Sequence, residues 1–209
     1  MRAREIGVTR CLAWVVVSTA AVALVPLARA APGAPTAAVK RTIDDVLSIV
    51  SDETLKQPAR HERRRELLEQ AVAARFDYEE MARRALAGQW VKLTDAERRE
   101  FVSLFKTLLS NTYAKKIEGY SGEQVEYLKE RTEGSYAEVR TRIVSDKVRL
   151  PLDYRLLDKM GDWRVYDVVI DGVSLVRNYR GQFDEIIRTS SYGELVNKLR
   201  KKSEEIKAP

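Results

Sequence analysis

Cysteine and histidine are almost absent from this sequence of 209 residues, which has one of each, Cys11 and His61. With a single thiol the chain forms no internal disulfide and offers no cysteine cluster for a metal ion. His61 lies in the charged stretch ARHERRRE, where we expect an exposed helical side chain rather than a general acid or base. The sequence therefore predicts no metal site and no catalysis that depends on histidine or a thiolate.

Short motifs that carry catalytic or nucleotide chemistry are also missing. The sequence contains no glycine-rich phosphate loop, no G-x-S-x-G nucleophile turn and no H-x-x-x-H pair. Adjacent acids such as Glu79 and Glu80 are expected on different sides of a helix, where they act as solvated charge. We therefore predict a protein that is not an enzyme and that needs no cofactor.

A long apolar run lies in the first thirty residues. Arginines precede the run CLAWVVVSTAAVALVPL, and Ala28-Arg29-Ala30 follows it. These are the three parts of a secretory signal peptide, so we expect residues 1–30 to be removed by cleavage after Ala30. The alternative is a retained membrane anchor, but the run contains Pro26 and is shorter than the roughly 20 residues of a membrane span. A basic leader with an A-x-A site, on a chain without disulfides, suits a bacterial periplasm.

The balance of charge gives little support to a polyanionic ligand. The full sequence has 37 basic and 31 acidic residues, a net charge of +6. Cleavage after Ala30 would remove four arginines and one glutamate and leave a net charge of +3. Nucleic acid binding needs clustered positive charge that displaces counterions from phosphates. We therefore predict that this chain does not bind nucleic acid.

Hydrophobic spacing predicts helices in the first half of the chain. Apolar residues recur at helical spacing over residues 39–50. Two capping boxes follow, Asp77 with Glu80 and Thr94 with Glu97, in which a side chain accepts a backbone N–H and the acid three residues later reaches back. The second box begins the helix with the strongest apolar stripe in the sequence.

The hydrophobic period changes from 3.6 to 2 in the second half of the chain. Three stretches alternate between apolar and polar side chains, and a fourth is expected at the near edge: residues 135–145, 147–157 and 162–170, and residues 123–130. Short turns between them imply an antiparallel meander. The sequence thus predicts one α+β domain over residues 38–206, a four-stranded antiparallel sheet with several helices packed on one face. A flexible segment, residues 31–37, is expected before it.

The stretch VYDVVIDGVSLVRNYRGQF combines a predicted turn at Asp171 with several polar side chains. Asp167, Tyr179 and Arg180 are the candidates for a catalytic group, which would polarise a substrate in a small α+β pocket. The alternative is structural: Arg180, or the neighbouring Arg177, pairs with Asp167 or Asp171 and fixes the corner between strand and helix. We favour this structural corner, to which Tyr179 also belongs.

Ordered blocks of the sequence resemble the MlaC family, also called the toluene-tolerance auxiliary family. The blocks are FDYEEMARRALAGQWVKLTDAERREFVSLFKTLLSNTYAKKI, then VEYL, VRTRIV and LPLDYRLL, then GDWRVYDVVIDGVSLVRNYRGQFDEII and GELVNKLRKK, and they cover about residues 40–202. The resemblance implies a periplasmic phospholipid-binding protein. Its lipid tails are expected in an apolar cavity between the sheet and the helices, with the head group largely outside.

The same resemblance implies partners for a carrier of this kind. They are an outer-membrane lipoprotein–porin complex, an inner-membrane ABC transporter with an MCE-domain ring and, transiently, the membranes themselves. The implied role is lipid transport that maintains outer-membrane lipid asymmetry and toluene tolerance, with phospholipid as bound cargo. The expected form of the protein is a monomer.

Apolar residues on facing elements are the candidates for the wall of the implied cavity. Periodicity alone does not distinguish a cavity wall from a filled core, and with a filled core the chain would be an envelope interaction module that binds no lipid. The sixteen candidate lipid-binding residues are Val46, Val50, Met81, Leu86, Phe101, Phe105, Leu108, Leu109, Tyr113, Val139, Ile143, Leu150, Leu152, Tyr154, Val169 and Val173.

Overall fold

The structure is a computed structural model that describes residues 34–146 and 148–205, the last of these by its backbone alone. The predicted signal peptide, its cleavage site after Ala30 and residues 206–209 lie outside the described residues. Of the segment expected to be flexible, residues 31–33 lie outside as well, whereas residues 34–37 form the first turn of a helix. Pro35 fits this turn because the first residues of a helix need no backbone N–H donor.

The described part of the chain contains six α-helices, four before the sheet and two after it. They are α1 (Ala34–Ser51), α2 (His61–Ala73), α3 (Tyr78–Leu86), α4 (Asp95–Glu118), α5 (Leu175–Thr189) and α6 (Tyr192–Glu205), with short 3-10 helices at Pro58–Arg60 and Ala87–Lys92. Within the same residues, none of these helices combines the length and the apolar character that crossing a bilayer requires.

The two predicted capping boxes differ in the structure. At α4 both bonds form: the Thr94 side chain accepts from the Glu97 backbone N–H, and the Glu97 carboxylate accepts from the Thr94 backbone N–H. At α3 the Asp77 side chain accepts from the Glu80 backbone N–H, but the return bond is replaced. The Asp77 backbone N–H donates to the Val165 carbonyl instead, which ties the start of α3 to the sheet.

Among the residues that the structure describes, five strands form one antiparallel meander in chain order. They are β1 (Gln124–Glu133), β2 (Tyr136–Val144), β3 (Arg149–Lys159), β4 (Asp162–Ile170) and β5 (Val173–Ser174). The predicted α+β class is confirmed, and so is the antiparallel order of the four long strands. The sheet has five strands rather than the predicted four. The sequence did not predict β5 because its two residues are too few to show an alternating pattern.

One packed core joins α1 to the sheet. Val39 of α1 lies in a cluster with Val139, Leu156 and Val165, and each of these four side chains is at most 1% exposed. We call the side of the sheet that carries this cluster the inner face.

A second packed core joins α3, α4, α5 and α6. Its centre is aromatic: the ring of Phe105 lies 5.3 Å from that of Tyr179 and 5.5 Å from that of Phe183, between centroids, with edge-to-face geometry. Phe101 meets Phe183 in the same way at 5.6 Å. Edge-to-face pairs add to the stabilisation from burial, so this core fixes α4 against α5.

The corner between β4 and α5 is organised by Asp167, which is 3% exposed. Its carboxylate accepts hydrogen bonds from Arg155 Nη1 at 3.1 Å, from Ser174 Oγ at 2.6 Å and from the Val176 backbone N–H at 3.0 Å. The arginine that pairs with Asp167 is therefore Arg155 and not Arg180 or Arg177 as predicted. Arg155 reaches it because the two residues are partners in the β3–β4 register.

The other predicted members of the corner have separate roles. Asp171 takes a left-handed backbone conformation, φ 48°, in the turn, and its N–H donates to the Pro151 carbonyl at 3.0 Å. Tyr179 packs in the aromatic core. Arg180 lies at the surface with its Nε 3.7 Å from Asp184 Oδ2.

Replacing Asp167 by asparagine is expected to lower the free energy of unfolding by about 2–3 kcal/mol, because the buried charge that pairs with Arg155 is lost. Urea denaturation measures this change. Asp184→Asn is the control, since it removes an exposed carboxylate from the same region and should cost less than about 0.5 kcal/mol. Equal losses in the two variants would contradict the role assigned to Asp167.

Candidate functional site

An apolar cavity of about 480 Å³ lies between the inner face of the sheet and helices α1, α2 and α4. Its volume falls within the range of about 300–1,000 Å³ that is usual for sites that hold small molecules. The cavity lies beside the packed cores rather than within them. The chain therefore covers the inner face of its sheet with helices without filling the space between them.

The strands show where the filled core ends and the cavity begins. On β2, Val139 is fully buried, whereas Ile143 further along the inner face is partly accessible and lines the cavity. On β3, Leu156 is fully buried, whereas Leu150 is partly accessible and lines the cavity. The hollow thus lies towards the ends of β2 and β3 that are joined by the β2–β3 turn.

The helices complete the wall with apolar side chains at helical spacing. Ile43, Val46, Leu47 and Val50 lie on one side of α1 at intervals of three and four residues, and all four line the cavity. The wall is closed by side chains from α2 and α4, namely Leu68, Val72, Leu109, Tyr113 and Ile117.

Tyr78 and Tyr154 are two of the four tyrosines that line the cavity, the others being Tyr113 and Tyr120. Burial, with a smaller effect from the charge of Glu69, raises the pKa of Tyr78 to about 12. Burial also raises the pKa of Tyr154 far above its ordinary value, with Tyr127 as the second cause. Both hydroxyls are therefore uncharged at neutral pH, and they add dipoles to the wall but no charge.

The arginines of the wall are paired with carboxylates. Arg65 Nε lies 3.3 Å from Glu69 Oε1, and both residues line the cavity. Arg75 Nη1 donates to Asp162 Oδ1 at 2.8 Å and to the Trp163 carbonyl at 2.9 Å. These pairs cancel charge at the wall, so the cavity suits an apolar ligand better than an ionic one.

Nine of the sixteen candidate lipid-binding residues lie on the cavity wall. They are Val46, Val50, Met81, Leu109, Tyr113, Ile143, Leu150, Leu152 and Tyr154. The other seven lie elsewhere. The second core contains Leu86, Phe101, Phe105 and Leu108, and the first core contains Val139. Val169 is buried in the sheet opposite Asp153, and Val173 is 58% exposed in β5.

Several wall residues were not among the candidates. Ile43 and Leu47 share a helix side with Val46, so the helical period contained the signal that finds them. Val72 lies on α2, a strongly charged helix with one buried residue, Leu68, and the helical period places Val72 on the same side as Leu68.

The three side chains considered for catalysis do not meet in this cavity. Asp167 is bonded to Arg155 and to the start of α5, Tyr179 packs among aromatic rings, and Arg180 lies at the surface. No group of three His, Cys, Asp or Glu side chains able to hold a metal ion occurs among residues 34–146 and 148–205. The apolar cavity is therefore the candidate functional site.

This chain is similar to a known protein family and to known proteins whose names refer to phospholipid binding or transport. The profile of the family described as "MlaC protein" matches residues 40–201. A protein of Haemophilus influenzae, the intermembrane phospholipid transport system binding protein MlaC, is 29% identical over 127 residues. That match covers 57% of this chain, and the chain spans about three fifths, 59%, of that relative's length.

A solved structure is similar to most of this chain. It is the phospholipid-binding protein from Ralstonia solanacearum in complex with a phospholipid, with 28% sequence identity and a TM-score of 0.74. The superposition covers 81% of this chain and 97% of that one.

Replacing Val46 by tryptophan is expected to fill part of the cavity. Binding of an apolar fluorescent probe, such as 1-anilinonaphthalene-8-sulfonate, should then weaken by about tenfold or more, because a loss of about 1.4 kcal/mol of apolar contact has this effect. Fluorescence titration measures the binding. The same change at exposed Val173 is the control and should leave the titration unchanged. Equal probe binding by both variants would show that the probe does not occupy this cavity.

Proposed function

This chain belongs to the MlaC family, and we propose that it binds a phospholipid by its acyl tails in the apolar cavity and carries it through the periplasm. The observation that carries the proposal is an unfilled, largely apolar cavity between the sheet and the helices. Its relatives include a protein named for intermembrane phospholipid transport and a structure solved with a phospholipid.

The energy of such binding comes from the removal of the tails from water. Each methylene group that leaves water contributes roughly 0.8 kcal/mol, so a tail of about 16 methylene groups would gain on the order of 13 kcal/mol relative to exposure. Directional contacts are not required for a gain of this size. The proposed grip is therefore on the tails, and it tolerates different head groups.

The head group is assigned to the end of the cavity at which α4 finishes. Lys116, Glu118 and Glu123 line the cavity there, next to Gly119. Lys116 is exposed and the two carboxylates are partly accessible, so a phosphate and its polar substituent remain in contact with water at this end. Deeper in the cavity Leu152 and Val168 offer only apolar surface.

The proposed route joins two membranes. The cargo is phospholipid, and the partners are an outer-membrane lipoprotein–porin complex and an inner-membrane ABC transporter with an MCE-domain ring. The chain acts as a monomer without covalent chemistry, and residues 1–30 direct it to the periplasm and are then removed by cleavage. The names of its relatives support lipid binding and transport rather than enzymatic activity.

The full chain purified from a bacterial host is expected to carry phospholipid, detected by native mass spectrometry and by lipid extraction. After the lipid is stripped, the protein should take up phospholipid again from vesicles. Val46→Trp should lose bound lipid, whereas the matched control Val173→Trp should keep it. Protein that is empty on purification and takes nothing from vesicles would contradict the proposal.

A further inference from the structure

One side chain of α2 joins the ends of two other helices of the cavity wall. Arg64 Nη2 donates to the Val50 carbonyl at 3.0 Å and to the Glu118 carbonyl at 3.4 Å. Val50 lies in the last turn of α1, and Glu118 is the last residue of α4. Both residues line the cavity, so Arg64 connects α1, α2 and α4 at the edge of the hollow.

The bonds of Arg64 are chemically favourable but incomplete. The last carbonyls of a helix lack intrahelical donors and lie at the negative end of the helix dipole, so a guanidinium group suits them. Arg64 Nε is buried, however, and has no hydrogen-bond partner among the described residues. A buried donor without an acceptor lowers the stability of the arrangement that buries it. The closed position of Arg64 is therefore held by fewer bonds than the group can make.

The boundary between α2 and α4, which we call the seam, is polar. Arg65 Nη2 donates to Asn111 Oδ1, and His61 Nε2 lies 3.7 Å from Glu118 Oε2. Of the thirteen residues of α2, Leu68 alone is fully buried. Polar contacts are replaced by water at little net cost, whereas separation of apolar surfaces is opposed in proportion to their area.

The opposite side of α4 is held differently. Phe101 and Phe105 of α4 pack against Phe183 of α5 in the aromatic core. Opening on that side would expose large rings to water, so the seam with α2 is the boundary of α4 that separates at lower cost. Residues on both sides of the seam, Leu68 of α2 and Tyr113 of α4, line the cavity, so separation there leads directly into it.

We propose that the seam between α2 and α4 is the portal through which lipid enters and leaves the cavity, and that Arg64 is the clasp that keeps it closed. This inference rests on the proposed function of the cavity. The closed seam retains the cargo, and rare opening sets the rate of exchange. Loss of the clasp shifts the population towards the open form without changing the apolar wall that grips the tails.

Arg64→Met removes the donors and keeps an apolar side chain. It is expected to raise the rate of phospholipid exchange with vesicles about tenfold, which corresponds to about 1.4 kcal/mol of closed-state stability. Bound lipid at equilibrium should stay at the wild-type level. Arg63→Met is the matched control, since Arg63 lies on the same helix in an exposed pair with Glu66. A lower unfolding temperature with an unchanged exchange rate would show that Arg64 is only structural and would overturn the clasp.

A reversible bridge across the seam tests the portal without Arg64. The test uses the full chain carrying Cys11→Ser. The thiols introduced by Arg65→Cys and Asn111→Cys are joined by a short bis-methanethiosulfonate linker, which dithiothreitol removes. Bridging is expected to slow exchange at least about tenfold, and reduction should restore it. The control bridge joins Glu100→Cys to Arg200→Cys, a contact between α4 and α6, and should leave the rate unchanged.

The outcomes separate the two proposals. Unbridged variants that bind and exchange phospholipid, at whatever rate, and are not slowed by the linker overturn the portal alone. Unbridged variants and wild-type protein that bind and exchange no phospholipid overturn the proposed function and the portal with it.

Discussion

An apolar cavity persists in water only if its walls are prevented from collapsing onto each other, because an empty apolar space forfeits packing contacts on all sides. Two filled cores provide this constraint here. One fixes α1 to the sheet through Val39 and Leu156, and the other fixes α4 to α5 through Phe105 and Phe183. The cavity occupies the space between elements that are anchored elsewhere. Its existence therefore depends in large part on residues that do not line it, such as Leu156, Phe105 and Phe183.

The fold followed from the sequence wherever a pattern was local. Helical spacing, the Thr94 box and the period-two strands each depend on neighbours within a few residues, and they predicted α+β elements in their observed order. Asp167 shows where locality fails. Strict alternation places it on the same face as Val165, but the β3–β4 register shifts between Arg155 and Leu156. This bulge turns Asp167 to the face opposite Val165, where Arg155 lies.

The site was predictable only in part, because a wall and a core have the same sequence signature. On α4, Phe101 and Phe105 belong to the same apolar stripe as Leu109 and Tyr113. The first pair packs in the aromatic core and the second pair lines the cavity. What separates them is whether another element lies opposite, and that is a property of the tertiary structure. The family resemblance indicated that a cavity exists, but the period could not indicate which end of the stripe would face it.

An apolar grip has a consequence for a carrier between membranes. A tail in this cavity and a tail in a bilayer are both removed from water, so the free energy that favours each over water largely cancels in the exchange between them. The proposed carrier then neither traps its cargo nor sets its direction, which falls to the partners at each membrane. The protein can still control the activation barrier of lipid exchange, which arises when the tails pass through water. A boundary held by the polar contacts of Arg64 and Arg65 is suited to that control, because water replaces those contacts at little net cost when it opens.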